Sequence, residues 1–130
     1  MNVNDMHRRD LFIFIISLII TSLGLVFRNF LHYNDIVWFV SDTLGNIGGV
    51  IVGSYLFFWW AKESNFKRRM VIIFSVGFGL VVYEFLQIFL PWQTFDVKDI
   101  LGTFIGVLIA SIINILVMIS DLLRTQQKKN

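Results

Sequence analysis

The stretch from Met70 to Pro91 reads MVIIFSVGFGLVVYEFLQIFLP, and it decides what kind of chain this is. Twenty-one residues precede the proline, with Glu84 the one charged residue among them. A helix of that length covers about 30 Å, the thickness of a bilayer's hydrocarbon core. Pro91 cannot readily continue it. Three more runs share this character: Leu11 to Phe27, Thr43 to Ala61 and Ile100 to Ser120. Charged residues are herded into short clusters between the runs and make up only 15 % of the 130 residues, against roughly a quarter in soluble domains.

This pattern excludes a soluble domain and a disordered chain. The absence of cysteine excludes a disulfide scaffold, a thiolate nucleophile and a cysteine-ligated metal. Long apolar runs without period-two alternation favour helices over barrel strands, because backbone amides in hydrocarbon must bond internally. The expectation is an all-α polytopic membrane protein, a four-transmembrane-helix bundle forming a single membrane domain over residues 1–130. Its helices fall near 11–30, 42–61, 70–90 and 99–121. The first run follows His7, Arg8 and Arg9, as a signal peptide's would, but no small-residue cleavage site closes it, so it is read as a retained span.

Orientation follows from the cations outside the runs. Arg8, Arg9, Lys62, Lys67, Arg68, Arg69, Arg124, Lys128 and Lys129 fall on one side and only Arg28 and Lys98 on the other. Nine against two is a strong positive-inside bias, placing both termini and the 62–69 loop in the cytoplasm. Tyr33, Trp38 and Trp92 then mark the outer interface and Trp59 and Trp60 the inner one. The outer side carries Asp35, Asp42, Glu84, Asp96 and Asp99 against those two cations, a net charge of minus three.

The chain also matches itself. Val40 to Ser54, VSDTLGNIGGVIVGS, aligns with Val97 to Ser111, VKDILGTFIGVLIAS, at an offset of 57, with seven of fifteen residues identical. Gly24-Leu25-Val26 likewise matches Gly79-Leu80-Val81. A duplicated helical hairpin is the reading, with repeats over about 24–54 and 79–111. Each copy starts and returns on the same side, which makes the repeat parallel. Small residues recur at helical spacing in both copies, Gly45, Gly49 and Gly53 in one and Gly102, Gly106 and Ala110 in the other. Such ribbons let helices approach closely in lipid, so they are read as packing surfaces, with the second and fourth helices meeting at the centre.

Glu84 stands about 21 Å along its helix, below the outer surface of the hydrocarbon core. A carboxylate there is costly unless it is paired, protonated or facing water. Gln87 shares its helix face. Asp42 with Asn46, and Asp99 with Thr103, are i, i+4 pairs near the outer helix ends. Asp42 and Asp99 also have a plain role open to them as helix caps. Arg28, near the end of the first helix, is placed by the repeat beside the position equivalent to Glu84, so a salt bridge to Glu84, Asp42 or Asp99 that merely locks the bundle is one outcome. The other is an acidic, partly buried pocket of Glu84, Gln87, Asp99, Asp96, Asp42, Asn46 and Arg28, suited to a cation or the polar head of a lipid or glycan. His32 and His7 carry no specific signal.

No phosphate loop, nucleophile elbow or zincin helix is present. No residue is assigned a catalytic role, no cofactor is called for and no metal is specified. The cytoplasmic cations need no nucleic acid to explain them, because topology and anionic lipid suffice.

The segment Glu84 to Gly106, EFLQIFLPWQTFDVKDILGTFIG, about a sixth of the chain, resembles the signature segment of the VanZ-like family of small bacterial membrane proteins. That family's Glu, the Gln three residues later, Pro, Asp residues and Gly correspond to Glu84, Gln87, Pro91, Asp96, Asp99 and Gly106. Its usual Arg is Gln93 here and its usual Asn is Thr103, with Arg28 and Asn46 of the first repeat available as equivalents. The resemblance implies a bacterial inner-membrane protein of envelope biology, the namesake being linked to teicoplanin resistance, with no established enzymatic mechanism. The expected partners are membrane lipids, an envelope precursor or another membrane protein, and further copies of the chain. A small oligomeric ion channel or transporter, or an accessory subunit of a larger membrane complex, are the alternatives.

Overall fold

The computed structural model describes residues 3–27, 35–90 and 95–127, and all of its regular structure is helical. Four helices, α1 (Val3–Phe27), α2 (Asp35–Ala61), α3 (Phe66–Gln87) and α4 (Val97–Gln127), follow one another. Each contains a stretch long and apolar enough to cross a membrane. All four begin ahead of their apolar runs, α2 at Asp35 and α3 at Phe66, and two carry charged extensions: α1 takes in Arg8, Arg9 and Asp10, while α4 continues past Ser120 to Gln127. The polar extensions are helical because ion pairs between helices hold them, as described below.

Local chemistry sets the ends. Asp96 precedes α4 and its Oδ1 accepts the Lys98 amide at 2.9 Å, an N-cap. Asp96 is thus the N-cap residue, and Asp99 stands inside the first turn, where a carboxylate favours the helix dipole. Asn65 caps α3, its Oδ1 accepting the Arg68 amide at 3.2 Å. At the end of α2, Lys62 takes the left-handed conformation (φ 50°), and the next amide, Glu63 N–H, returns to the Phe58 carbonyl at 3.1 Å. That bond closes α2 with the wrapped terminus usually built on glycine. Helix α3 stops at Gln87 instead of running to 90, then tightens through Phe89 N–H to Leu86 O at 3.1 Å and Leu90 N–H to Gln87 O at 2.9 Å. A proline disfavours helical geometry in the residue before it, so Pro91 acts back on Leu90.

Helix α2 is the hub, packing against α1, α3 and α4, and α3 also packs on α4. The α2–α4 approach is the tightest on backbone atoms. A Cβ on Gly102 would stand 2.9 Å from the Thr43 carbonyl oxygen, and one on Gly106 2.9 Å from that of Ile47. Successive turns of α4 thus meet successive turns of α2 in the same order, so the two run parallel. The α2 ribbon also faces other helices, but not α4. Gly45 meets the Leu25 side chain of α1, and Gly49 and Gly53 meet Leu80 and Val76 of α3, so α2 turns its glycines away from α4. Two glycines outside the ribbons carry the other close approaches, Gly48 against Thr21 of α1 and Gly77 against Val107 of α4.

The distribution of polarity is inverted relative to a water-soluble protein. Phe74, Phe78, Phe104 and Leu108 are exposed, whereas Asp10, Arg69, Glu84, Gln87, Thr103, Asn114 and Asp121 are buried. A small apolar core of Val50, Tyr55, Phe58, Ile73 and Ala110 joins α2, α3 and α4. Lipid solvates the outer apolar surface at no cost, so what the helices must hide from it is their polar groups.

Two alanine substitutions separate packing from helix propensity. In Gly106→Ala the added methyl meets backbone, and the thermal stability of the detergent-solubilised protein should fall by the equivalent of about 1–3 kcal/mol. Gly79 has nothing within 4 Å of such a methyl, so Gly79→Ala should be neutral or gain up to about 1 kcal/mol.

Candidate functional site

The buried polar groups form two clusters at opposite ends of the bundle. One is the site the sequence points to. Gly77 of α3 lies against Thr103 and Val107 of the antiparallel α4. Two turns further along α3, Glu84 comes level with the first turn of α4, where Asp99 stands. Glu84 is only 2 % exposed and Gln87 8 %. The Gln87 side chain hydrogen-bonds to the Glu84 carboxyl group, and the charges of Asp99 and Asp96 both act on it. Oxygen Oε2 of Glu84 is buried and has no hydrogen-bond partner, the one carboxylate oxygen among the described residues in that condition. A ring contact between Phe85 and Phe95, 5.6 Å between centroids, holds the segment leading into α4 against the end of α3.

The other expected members of this site divide. Asp96 belongs to it but spends one oxygen on the α4 cap. Thr103 is buried, and its hydroxyl donates to the Asp99 carbonyl at 2.9 Å, serving its own helix. Asn46 lies half-buried on α2, one turn below the position of Asp42. The Asp42 side chain lies outside the described residues, as do Arg28, His32, Pro91 and Gln93. The proposed bridge from Arg28 therefore stays an expectation. Among the described residues no group of three His, Asp or Glu side chains converges as metal ligands would.

The second cluster is one that the sequence reading did not anticipate. Arg69, counted there as a loop cation, is fully buried in the first turn of α3. Its guanidinium grips Asp10 of α1 with two bonds, Nη1 to Oδ2 at 2.9 Å and Nη2 to Oδ1 at 2.6 Å. Nε donates to Asn114 Oδ1 of α4 at 2.7 Å, and Nη1 also reaches the Glu63 carbonyl at 3.1 Å. The Phe58 ring of α2 covers it at 4.0 Å from the centroid. One side chain thus touches all four helices. Beside it Arg9 pairs with Asp121 and donates to Ser120 Oγ at 3.0 Å, tying α1 to α4. His7 stacks on Trp59 with ring centroids 5.7 Å apart.

A signal for this cluster was present. Asn114 interrupts the apolar run that Asp121 closes, and Asp10 stands directly before another; polar residues in spans mark interhelical bonds. Arg69 itself carries no such signal, because it stands in a run of cations that topology alone explains. The two clusters differ in kind: the carboxylate of Asp10 is matched by a fork of donors, whereas Glu84 has an oxygen left over. A closed ion pair is a lock, whereas a buried acceptor without a partner calls for an explanation.

Compared with family models, curated proteins and solved structures, the chain matches none. The fold and the two clusters therefore define it as an all-helical chain with four helices able to cross a membrane, and its function rests on its own residues.

Removing one member of the lock leaves a buried charge unpaired. Arg69→Met and Asp10→Leu should each destabilise by about 3–5 kcal/mol, with the double variant recovering much of the loss. Arg69→Lys should not rescue, because an ammonium cannot form the fork. Thermal unfolding of the four variants in one detergent is the measurement.

Proposed function

We propose that the chain is a VanZ-like multi-pass protein of the bacterial inner membrane whose Glu84 end faces outward and binds an envelope-related ligand, such as a lipid, a glycan precursor or a glycopeptide, without a catalytic activity. The observation that carries this reading is the buried, unpartnered Oε2 of Glu84 beside Gln87 and under the charges of Asp99 and Asp96. Leaving a buried acceptor unsatisfied costs about 1–3 kcal/mol, and a ligand that donates to it recovers that cost. The resemblance of Glu84 to Gly106 to the family signature falls on this same end of the bundle.

The inward assignment of the other end rests on the cation count. Residues 62–69 and the start of α1 meet there through Arg69 and Asp10, and the end of α4 joins them through Asp121 and Arg9. Duplication is supported by the parallel course of α2 and α4 at the centre, each packed on the helix that precedes it. A pore within one copy is not favoured, because the apolar core of Val50, Ile73 and Ala110 lies between the two polar ends.

Two experiments test this reading. The natural chain lacks cysteine, so single cysteines at Ser64 and Phe95 report sidedness cleanly. An impermeant maleimide added to intact cells should label position 95, and position 64 only after permeabilisation; the opposite pattern inverts the topology. For binding, the purified protein is heated with panels of lipids, cell-wall precursors and ions. A ligand should raise the midpoint by mass action, and Glu84→Gln should abolish the rise while folding normally.

A further inference from the structure

We infer that the group received at Glu84 is a primary ammonium, an assignment that rests on the binding reading above and names the chemistry of its ligand. The hydrogen-bonding inventory carries it. Gln87 supplies a donor to the Glu84 carboxyl group, and an amide that donates through its NH₂ keeps a carbonyl oxygen free to accept. Oxygen Oε2 of Glu84 accepts nothing. What Glu84 and Gln87 present together is therefore acceptors, and the other charges acting on Glu84 are two carboxylates. An incoming group must be cationic and rich in donors.

Three cations meet the charge requirement, and the ligands or donors that each needs separate them. A divalent metal needs several oxygen ligands at once, and among the described residues no convergent set of three His, Asp or Glu exists. A guanidinium prefers to grip both oxygens of a carboxylate, as Arg69 grips Asp10 at the far end, but at Glu84 the Gln87 amide already occupies the carboxyl group. An ammonium is a compact point charge with three donors and no acceptor. One donor satisfies Oε2 and a second suits the Gln87 carbonyl. The third is left for water or the neighbouring carboxylates.

Such an ammonium comes either from an aminoethyl lipid headgroup or from a free small amine, and one contrast tests the chemistry for both. Phosphatidylethanolamine and phosphatidylcholine are both cationic at nitrogen, but only the first has N–H donors. In mixed micelles, phosphatidylethanolamine should raise the unfolding midpoint of the wild-type protein by several degrees relative to phosphatidylcholine. Ethanolamine against choline in water is the free-amine arm. A rise confined to the lipid arm identifies a headgroup, and a rise in the soluble arm identifies a free amine; both support the assignment.

In Glu84→Gln the apparent affinity for the effective amine should fall about tenfold or more. Asp99→Asn keeps the acceptor and should weaken binding less, and it serves if Glu84→Gln fails to fold. Equal effects of the N–H and quaternary compounds overturn the assignment, as does a rise unchanged in Glu84→Gln. If instead Mg²⁺ or a neutral glycan precursor gives a Glu84-dependent rise, the ammonium falls and the binding site stands. If no probe shifts the wild-type protein, both fall.

Discussion

A guanidinium with no exposed surface must find its partners inside the protein, and Arg69 finds them on each of the three other helices. The two bonds to Asp10 set the depth and rotation of α1, and the bond to Asn114 does the same for α4. Its bond to the Glu63 carbonyl ties in the turn between α2 and α3, and the Phe58 ring seals it on the α2 side. This matters most for α1, which packs only on α2 along its length. Without Asp10 and Arg9 reaching across to α3 and α4, that helix would be held by one seam alone. A low dielectric makes such a network strong when complete and costly when broken, so it ties the end of the bundle into a single arrangement.

The rest of the bundle is held by proximity, because lipid offers helices no hydrophobic reason to associate. Gly102 and Gly106 bring the α4 backbone onto that of α2, Gly48 makes room for Thr21, and Gly77 makes room for Val107. Dispersion over close backbone contacts then replaces the burial of large side chains, many of which face outward. This division assigns different tasks to the two ends. At the Arg69 end the Asp10 carboxylate is matched by two guanidinium donors, whereas at the Glu84 end a carboxylate oxygen is buried without a partner.

Much of this was legible in the residues alone. Run lengths and the scarcity of charge gave four helices long enough to span, although α1 begins at Val3 and α2 at Asp35, well ahead of 11 and 42, and the Glu84–Gln87 pair was singled out because a carboxylate so deep in an apolar run needs a reason. The ribbon of Gly102 and Gly106 was likewise read as packing and does pack on α2. Less legible was which neighbour each ribbon chose: Gly45, Gly49 and Gly53 have the same spacing but face α1 and α3. Spacing defines a face, and the rotation of the helix decides what that face meets. That Asp96 supplies the N-cap of α4 ahead of Asp99 depends on where the first turn begins, which no period could resolve.

By itself, then, the sequence determined that the chain forms helices long and apolar enough to cross a membrane, because backbone groups in hydrocarbon must bond within their own segment. It also determined which carboxylate lies deepest. The tertiary structure decided the fate of each charge. Arg69 and Asp10 are separated by 59 positions, and nothing local distinguishes this arginine from Arg68 beside it, which is largely exposed. Only the packing of α1 against α2 and of α3 against α4 brings one of the two to a waiting carboxylate and leaves the other in solvent. An ion pair is a property of distance in space, and distance between remote residues exists only once the helices are assembled.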